Sequence, residues 1–429
     1  MRLSVIGTGY VGLVTAACFA DLGHAVIAVD QDTGRVRSLA DGQVPFYEPG
    51  LEDLLRRVEK SGRLRFTTDT PDAVRDSEVI FITVGTPARG GGDADLTAVA
   101  AVAEAIALAL TEYRLIVEKS TVPVRTGERI RDQIHLLTRG AVPFDVACNP
   151  EFLREGSAIR DFLHPDRIVL GVDSERSERL LREVYKPFEC PVLVTDLSTA
   201  ELIKHASNAF LAMKISYINA VANICERVGA DVRQVADGMG YDHRIGRAFL
   251  DAGVGYGGSC FPKDVAAFIS IAREAGYEFR LLEEVARVNE AQRDILLRHL
   301  REALWVLANR TVAVLGLAFK ANTDDIRGAP AVPIIEALHR EGAVVRVYDP
   351  VAEPSARELL PEVSYCPDAY EAARGSDALI VLTDWEEFRH LDLPRLKTLM
   401  RRPVLIDGRN VLDPSAARAL GFHYAGMGR

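Results

Sequence analysis

Short apolar runs alternate with longer stretches of helical periodicity in the first part of the chain. Runs of four to eight residues predict strands at "RLSVIG", "AVIAVD", "EVIFITVG", "RLIVEKS" and "FDVACN". Between them, stretches such as "LVTAACFADLG" and "DLTAVAAVAEAIALAL" are typical of buried helices. Strands that alternate with helices predict βαβ units and a parallel sheet.

The pattern changes twice along the rest of the chain. From about Ser198 to Ala303 no strand is predicted, and "TAELIKHASNAFLAMKISYINAVANICERVG" predicts one long helix that ends at a glycine. From "RTVAVLGLAF" onward the alternation returns, with "VVRVYDP", "DALIVLTDW" and "PVLIDGRN" as further strands. The sequence thus predicts an α/β protein in which two Rossmann-like parallel-sheet domains, 1–197 and 304–429, are joined by a central helical domain, 198–303.

Composition and charge narrow the classes of partner. The chain has 51 basic and 61 acidic residues, a formal net charge of -10, which argues against a general nucleic-acid or anionic-membrane surface. No apolar run is long enough to span a bilayer, and the first strand begins before a signal peptide could develop. The cysteines show no zinc-like or CxxC spacing, so we expect no metal site and reduced thiols in a cytoplasmic protein. We expect five of them, at positions 18, 148, 190, 225 and 366, to pack in apolar surroundings.

"GTGYVG", residues 7–12, follows the first strand and fits the pattern G-x-G-x-x-G. Its glycines, Gly7, Gly9 and Gly12, would let the backbone approach a pyrophosphate at the N-terminus of the next helix. The second strand ends in Asp30, at the interval expected for an acid that binds a ribose hydroxyl. We therefore predict a dinucleotide site rather than a purely structural turn. Asp30 would repel a 2′-phosphate, which favours NAD over NADP, although Arg35 lies one helical turn on.

Three further strands are followed by polar residues. Thr86 lies in "VGTP", Thr121 in "STVP", and Glu151 and Glu155 in "NPEFLREG". Each alone is explained as well by helix capping. Because open α/β sheets bind ligands at the carboxyl ends of their strands, three such loops at one edge favour a site.

Lys204 and Asn208 are four residues apart in the long predicted helix and share one of its faces. Most lysines are simply solvated. The neighbours of Lys204 are largely small or apolar, so we expect partial burial, which requires an anion or dipole nearby.

"GVGYGGSCFPKDVA", residues 253–266, places four glycines in six positions ahead of a cysteine. Pro262 suits the first turn of a helix, which would put Cys260 at or just before its N-terminus. The helix dipole and Lys263 should favour the thiolate there, and Asp264 lies on the same side. A buried structural cysteine would not explain the glycines, so we predict a nucleophile.

Two loops of the third region, "GLAFKANTDDIRGAP" and "DGRN", carry lysine and arginine after strands. From the residues alone, solvated loops and ligand contacts are equally good explanations. Over essentially the whole chain, the sequence resembles the UDP-glucose/GDP-mannose dehydrogenase family. The resemblance rests on these two loops and on six other motifs in the same order: "GTGYVG", "VGTP", "STVP", "NPEFLREG", Lys204 with Asn208, and "GVGYGGSCFPKD".

The resemblance implies an NAD domain, a central dimerisation domain and a nucleotide-sugar domain. It also implies the four-electron oxidation of a nucleotide sugar at C6, with two NADH released. The aldehyde would be captured by Cys260 as a thiohemiacetal, oxidised to a thioester and hydrolysed. "GVGYGGSCFPKD" favours UDP-glucose as substrate and UDP-glucuronate as product, since the GDP-mannose branch resembles "GFAFGGSCLPKD"; another nucleotide sugar such as GDP-mannose is the alternative.

The resemblance also assigns roles to matching residues. Cys260 is the expected nucleophile and Lys204 the oxyanion donor, with Asn208 beside it. Asp264 is expected to orient or deprotonate water or to assist the thiol, with Glu151 and a water held by Thr121 as further candidates. Arg244 is expected to reach the substrate of a neighbouring subunit in a homodimer. The expected NAD contacts are Gly7, Gly9, Tyr10, Val11, Gly12, Asp30, Arg35, Thr86, Thr121, Glu155, Lys263 and Arg327. The expected UDP-sugar contacts are Glu151, Phe152, Leu153, Arg154, Glu155, Lys204, Asn208, Arg244, Phe249, Leu250, Asp251, Ala252, Gly253, Gly257, Phe319, Lys320 and Arg409.

Two other functions share parts of this pattern. A non-catalytic nucleotide-sugar sensor would have no need of a thiol at a helix N-terminus, together with Lys204, Asn208 and Asp264. A single-step dehydrogenase of the 2-hydroxyacid or 6-phosphogluconate type shares the first domain but needs no cysteine.

Overall fold

The computed structural model describes residues 1–89 and 92–429, which fold into two compact units. Unit 1 contains Met1–Ser207 and Ala266–Gly276, and unit 2 contains Asn208–Val265 and Tyr277–Arg429. Within the described ranges, every helix is too short or too polar to cross a membrane.

Unit 1 is built on one eight-stranded sheet. Its strands are β1 (Arg2–Ile6), β2 (Ala25–Val29), β3 (Leu64–Thr67), β4 (Val79–Ile82), β5 (Arg114–Glu118), β6 (Phe144–Cys148), β7 (Ile168–Gly171) and β8 (Val192–Thr195). They lie in the order β3-β2-β1-β4-β5-β6-β7-β8. The helices between them are α1 (Tyr10–Asp21), α2 (Thr33–Ala40), α3 (Leu51–Lys60), α4 (Thr70–Asp76), α5 (Thr97–Ala109), α6 (Thr126–Thr138), α7 (Ala158–Leu163) and α8 (Glu175–Val184).

The sheet of unit 1 is buried at its centre, where every residue of β4 and β5 is buried, including Arg114 and Glu118 at the ends of β5. A continuous apolar run such as that of β4 is typical of a parallel sheet covered on both faces. Phe19 of α1 packs on Phe81 of β4, with ring centroids 5.1 Å apart. This core fixes the carboxyl ends of β1, β2, β4, β5 and β6 along one edge.

Five of these strands are the ones predicted from the sequence, namely β1, β2, β4, β5 and β6. The sequence interpretation missed β3, β7 and β8, each only four residues long. β3 and β8 lie at the two edges of the sheet and are partly exposed. In β3 the polar residues Arg65 and Thr67 interrupt the apolar pattern. β7 also pairs antiparallel with β6, at Cys148 and Gly171, so the sheet is not parallel throughout.

The middle of the chain is helical, as predicted. Its helices are α9 (Leu197–Val228), α10 (Val232–Gly240), α11 (Phe261–Glu274) and α12 (Arg280–Leu304). The long helix α9 ends just before Gly229, whose φ of 74° lies in the left-handed region that favours glycine.

Unit 2 contains a second sheet, six-stranded and parallel in every pair. Its strands are β9 (Thr311–Leu315), β10 (Val344–Tyr348), β11 (Ser364–Tyr365), β12 (Ala378–Val381), β13 (Val404–Asp407) and β14 (His423–Gly426). They lie in the order β11-β10-β9-β12-β13-β14. The accompanying helices are α13 (Ala331–Arg340), α14 (Glu353–Ala356), α15 (Ala369–Ala373), α16 (Glu386–Arg389), α17 (Leu393–Leu399) and α18 (Pro414–Ala419).

The predicted fold class is therefore confirmed: two strand–helix regions, each with its own sheet, flank a helical middle. The boundaries 1–197, 198–303 and 304–429 stay a prediction, because α9 and α11 each contribute residues to both compact units.

Candidate functional site

The turn between β1 and α1 has the shape that a bound dinucleotide requires. Gly7 has a φ of 102°, and a Cβ atom on Gly12 would lie 1.8 Å from the Gly7 carbonyl oxygen. Around Gly9, by contrast, a Cβ atom would meet no described atom within 4 Å, and among the described residues no side chain caps the helix that starts at Tyr10. Gly7 and Gly12 are thus needed to form the turn, while the open backbone at Gly9 fits the phosphates of NAD.

Asp30 lies directly after β2, beside this turn. Its carboxylate accepts hydrogen bonds from the backbone N–H (2.9 Å) and hydroxyl (2.7 Å) of Thr8 and from the backbone N–H of Asp32 (3.0 Å). Burial alone would raise the pKa of Asp30, but these bonds and Arg35, 3.4 Å away, hold it below its usual value. The residue is therefore a fixed anion, as the preference for NAD requires.

The loops after β4, β5 and β6 lie side by side, because these strands are neighbours in the sheet. The hydroxyl of Thr86 donates to the carbonyl oxygen of Thr121 over 2.7 Å, so two of the predicted loops are in contact. The third loop carries Glu151, which is 5 % exposed.

Lys204 is buried as predicted, and its partner is Glu151. The Lys204 ammonium donates to Glu151 Oε1 over 2.9 Å, and the second oxygen, Oε2, accepts from the backbone N–H of Leu153. Lys204 also lies 5.4 Å from the centre of the Phe152 ring, with Arg167 stacked at 3.6 Å from that centre. α9 and the loop after β6 therefore place a buried ammonium group at the carboxyl edge of the sheet.

Other residues of "NPEFLREG" have structural partners. Arg154 forms an ion pair with Asp161 at 2.6 Å and is exposed. The Tyr10 hydroxyl contacts the Glu48 carboxylate, and both accept from the backbone N–H of Gly156. Glu48 was not predicted from the sequence, since it is separated from Gly156 by more than a hundred residues of chain. It joins the start of α1 to the segment that carries Glu155.

In unit 2, Cys260 lies immediately before α11, and its carbonyl oxygen accepts the backbone N–H of Asp264 over 2.8 Å. It therefore occupies the N-cap, as predicted. Asp264 is 1 % exposed; its Oδ2 accepts from the Asn208 amide (2.6 Å) and its Oδ1 from the Lys263 ammonium (2.8 Å). Asp264 is thus hydrogen-bonded to three other predicted residues: Cys260, Lys263 and Asn208.

The glycines before Cys260 are required by the packing of their own unit. A Cβ atom on Gly257 would lie 2.2 Å from the Gly328 carbonyl oxygen, and one on Gly258 would lie 2.8 Å from the Phe319 ring. A Cβ atom on Gly253 would lie 2.9 Å from the Gly408 carbonyl oxygen. The loop is therefore pressed against the segments after β9 and β13, a constraint that the sequence alone did not reveal.

Side-chain amides on α9 and α12 hold this loop, and none of them was predicted. Asn289 accepts the backbone N–H of Tyr256 (2.8 Å) and donates to its carbonyl oxygen (3.1 Å). Gly253 is held in the same way: its N–H donates to Asn219 (2.8 Å) and its carbonyl oxygen accepts from Gln292 (3.0 Å). In sequence these amides look like ordinary polar helix residues.

Arg409 connects the glycine loop with the loop after β9. Its guanidinium donates to the carbonyl oxygens of Gly255 (2.9 Å), Phe319 (3.0 Å) and Leu382 (2.8 Å). Lys320 lies 5.5 Å from the centre of the Phe319 ring. The structure thus brings Arg409, Phe319 and Lys320 together in unit 2.

The remaining predicted residues lie in loops of unit 2. Phe249 has a φ of 64°, a strained value for a bulky side chain. Leu250 and Ala252 are buried, whereas Asp251 is exposed and pairs with Arg247 at 2.7 Å.

Arg244 and Arg327 are exposed and pair with nearby aspartates at 2.6 Å and 2.7 Å. Their contacts with substrate or NAD stay predictions.

The expectation for the cysteines needs a correction. All six have free thiols, and Cys190, although only half-buried, packs against the hydrophobic core of unit 1 as expected. The surroundings of Cys148 are not purely apolar, because its thiol donates to the Glu201 carboxylate over 3.6 Å. Burial raises the pKa of Cys148 well above its usual value, so the thiol stays protonated.

Comparison with known proteins adds a family assignment. Residues 1–189 match the NAD-binding domain of the UDP-glucose/GDP-mannose dehydrogenase family, residues 198–291 its central domain and residues 313–414 its UDP-binding domain. The chain is 50% identical to the UDP-glucose 6-dehydrogenase TuaD of Bacillus subtilis, over all of this chain and 93% of that protein. It is 48% identical to the UDP-glucose 6-dehydrogenase of Rhizobium meliloti over the full length of both.

A solved structure agrees with this assignment. The UDP-glucose dehydrogenase of the archaeon Pyrobaculum islandicum superposes with a TM-score of 0.94 at 42% identity, covering all of this chain and 97% of that one. The glycine turn lies in the part of the chain that matches the NAD-binding domain, and the buried lysine and the N-cap cysteine lie in the part that matches the central domain. Together with the match to the UDP-binding domain, this shows that the chain belongs to the UDP-glucose/GDP-mannose dehydrogenase family.

Proposed function

We propose that this protein oxidises UDP-glucose at C6 to UDP-glucuronate. The names of its full-length relatives and the match to a UDP-binding domain support the substrate. The observation that carries the chemistry is the Cys260 thiol at the N-cap of α11, one turn before the buried carboxylate of Asp264.

The match to an NAD-binding domain and the turn at Gly9 make NAD the cofactor. When bound, NAD accepts a hydride ion from the carbon that is oxidised. The N-terminus of α1 would bind its phosphates, and Asp30 would bind a ribose hydroxyl group. Thr86, Thr121, Glu155, Lys263 and Arg327 are proposed as further contacts.

Cys260 would hold the sugar between the two oxidations. Its thiolate adds to the carbonyl carbon of the C6 aldehyde, which forms a C–S bond and moves an electron pair to the oxygen. Loss of two more electrons from that carbon leaves a thioester on Cys260. Water then breaks the C–S bond, so the carboxylate is released and the thiol is restored.

Lys204 would stabilise the negative charge on the C6 oxygen. A buried ammonium ion acts more strongly on a developing oxyanion than a solvated one. Glu151 fixes the position of that ammonium at 2.9 Å. Lys204 and Glu151 are only 3% and 5% exposed, so each charge needs the other as its partner in place of water.

Asp264 would act on water or on the thiol. Asn208 and Lys263 each bind one of its oxygens and so fix the plane of the carboxylate. Asp264 and Glu151 are the candidates for the base of the hydrolysis step, and Thr121 would hold a water molecule.

The proposed assembly is a homodimer through the central region, in which Arg244 reaches the partner's substrate. Phe210, Tyr217 and Ile224 on α9 support it, because they are more than half exposed at 57%, 55% and 57%. They repeat every seven residues, which aligns them on one face of the helix, as in helix–helix interfaces. We further propose three domains with the predicted boundaries and a cytoplasmic location.

The function is tested by supplying NAD with a panel of UDP- and GDP-sugars and measuring NADH and sugar products. We expect two NADH per UDP-glucose consumed, UDP-glucuronate as the product, and little free aldehyde. One NADH per sugar would indicate a single-step dehydrogenase. No NADH with any sugar, despite nucleotide-sugar binding, would indicate a sensor.

Iodoacetamide provides a second test of the thiol. Alkylation should inactivate the enzyme completely, and UDP-glucose should protect it, because the sugar and the reagent compete for the same thiol. An alkylated Cys260 with full activity would contradict the proposal.

A further inference from the structure

A group of buried acids lies behind Lys204 in unit 1. Glu118 is the last residue of β5 and is 2% exposed; Glu201, on α9, is 4% exposed; Cys148, the last residue of β6, is 2% exposed. Such groups are rarely placed in a core without a role, because burial disfavours their charged forms.

The Glu201 carboxylate is fully engaged. It accepts the backbone N–H groups of Arg125 (2.5 Å) and Gly127 (2.7 Å) at the start of α6, and the thiol of Cys148. Its role is therefore to hold α6 against α9.

Glu118 is different. Its Oε1 accepts the backbone N–H of Ser120 over 2.7 Å, but its Oε2 is buried and has no hydrogen-bond partner among the described residues. A buried oxygen of this kind needs a partner such as an ordered water.

A small cavity adjoins Glu118. It offers about 10 Å³ to the centre of a water-sized sphere, which is close to the space that one water molecule needs. Its lining includes Glu118, Cys148 and Glu201 as well as Thr121 and Lys204 from the candidate active site. Glu118, which carries the carboxyl oxygen without a partner among the described residues, and Lys204 thus border the same cavity.

The charges around Glu118 favour its neutral form at pH 7. Burial raises the pKa of Glu118 to about 8, and the carboxylate of Glu201 contributes, while the hydrogen bonds from Ser120 lower it. Two further acids act on its neighbours: the charge of Glu128 raises the pKa of Glu201, and the charge of Asp173 raises the pKa of Cys148. Lys204 is the cation that lines the cavity.

We propose that this cavity is a single-water site and that Glu118 is the proton acceptor of a relay that begins at Lys204. The proposal rests on the proposed function, in which the C6 hydroxyl group must lose a proton. The relay operates above neutral pH, where Glu118 ionises. Lys204 then passes one proton to the water and takes the proton of the substrate hydroxyl group, and the water passes one to Oε2 of ionised Glu118. One O–H bond breaks on the sugar and one forms on Glu118, while Lys204 and the water end unchanged.

Because it acts through Lys204, Glu118 is a positioning residue rather than a catalytic one. The test uses Glu118→Gln, which keeps the size of the side chain and the acceptor for Ser120 N–H but cannot ionise. Cys148→Ala is the matched control, since it changes the lining of the same cavity and leaves the carboxyl group in place.

The first measurement is an infrared pH titration of the full-length protein without substrate. Wild type should show the carbonyl band of a protonated carboxyl group that disappears between pH 7 and 9. The band should be absent from Glu118→Gln and retained in Cys148→Ala. No such band in wild type, or its persistence in Glu118→Gln, would overturn the proposal, whether or not the enzyme acts on UDP-glucose.

The second measurement is kcat with UDP-glucose and NAD across the same pH range. The ratio of wild-type to variant kcat cancels the titration of the other groups. For Glu118→Gln it should lie within about twofold at pH 6.5, where both side chains are neutral, and reach about tenfold at pH 9. For Cys148→Ala it should not change with pH. A constant ratio for Glu118→Gln would overturn the relay, whereas inactivity of wild type at every pH would instead refute the proposed function.

Discussion

The amide of Asn289 is predicted to be as important for activity as residues nearer the chemistry. It binds both the N–H and the carbonyl oxygen of Tyr256, which precedes Cys260 by four residues. Gly255 has a φ of 102°, and a Cβ atom at this position would lie only 2.9 Å from Oδ1 of Asn289. The amide and the glycine therefore fit each other, and together they set the path of the loop.

The size of the effect follows from these two bonds. Asn289→Ala leaves two backbone groups of Tyr256 without partners, and the residue is only 9% exposed. A buried donor or acceptor without a partner costs about 1–3 kcal/mol, so with two such groups the native path of the loop should lose roughly 2–6 kcal/mol. A shift of the thiol by about 1 Å is enough to reduce the rate roughly 100-fold.

We therefore expect Asn289→Ala to lower kcat by about 100-fold and to slow the alkylation of Cys260 relative to free thiol. The assays are NADH release with UDP-glucose and iodoacetamide labelling followed by mass spectrometry. Asp294→Ala, at an exposed position of the same helix, is the control and should match wild type. If Asn289→Ala kept kcat within threefold of wild type while the thermal midpoint fell, the amide would stabilise the fold without positioning the thiol.

Four further outcomes are expected. NADP should support a much lower kcat/KM than NAD, because a 2′-phosphate would meet the Asp30 carboxylate; equal values would refute this. Cys260→Ala should still bind NAD but form no UDP-glucuronate, and Cys260→Ser should restore little, since serine is far less ionised. Mixing Arg244→Ala with Cys260→Ala subunits should regenerate some activity in hybrid dimers; none, despite proven exchange, would count against the shared site. Glu118 keeps a proton in the folded chain up to about pH 8 that the unfolded chain loses near its ordinary pKa of 4.5. The free energy of unfolding should therefore fall with rising pH by up to roughly 1 kcal/mol per unit in that window and level off above it, and Glu118→Gln should remove this slope.

Much of the fold was predictable because the central strands of the first sheet are apolar at nearly every position. β4 consists of apolar residues only, and β5 has three consecutive apolar residues between Arg114 and Glu118 at its ends, so each strand has an apolar centre that the sequence pattern reveals. The edge strand β8 is apolar in sequence although it is partly exposed, and at four residues it is at the lower limit of length for a strand. The antiparallel pairing of β7 with β6 left no trace in the sequence, since direction within a sheet depends on the connection and not on the strand itself.

The candidate site divides in the same way. Positions that a local motif specifies agree with the sequence prediction: the turn at Gly7, the N-cap at Cys260, and Lys204 with Asn208 four residues apart on α9. The lysine was even expected to need an anion, and Glu151 provides it. Partners that depend on the tertiary fold were missed, because Glu48 and Asn289 bind backbone groups far away in sequence.

The glycine loop shows why a motif can be recognised for an incomplete reason. Its density of glycine suggested the close approach of a ligand, yet Gly257 and Gly258 already face Gly328 and Phe319 within their own unit. Both demands act on the same positions: a loop that packs backbone against backbone on one side cannot move away when its other side is occupied. Alanine at position 257 would meet a carbonyl oxygen at 2.2 Å whether or not a sugar is bound. The path of the loop that precedes Cys260 is therefore fixed by the packing of the protein itself.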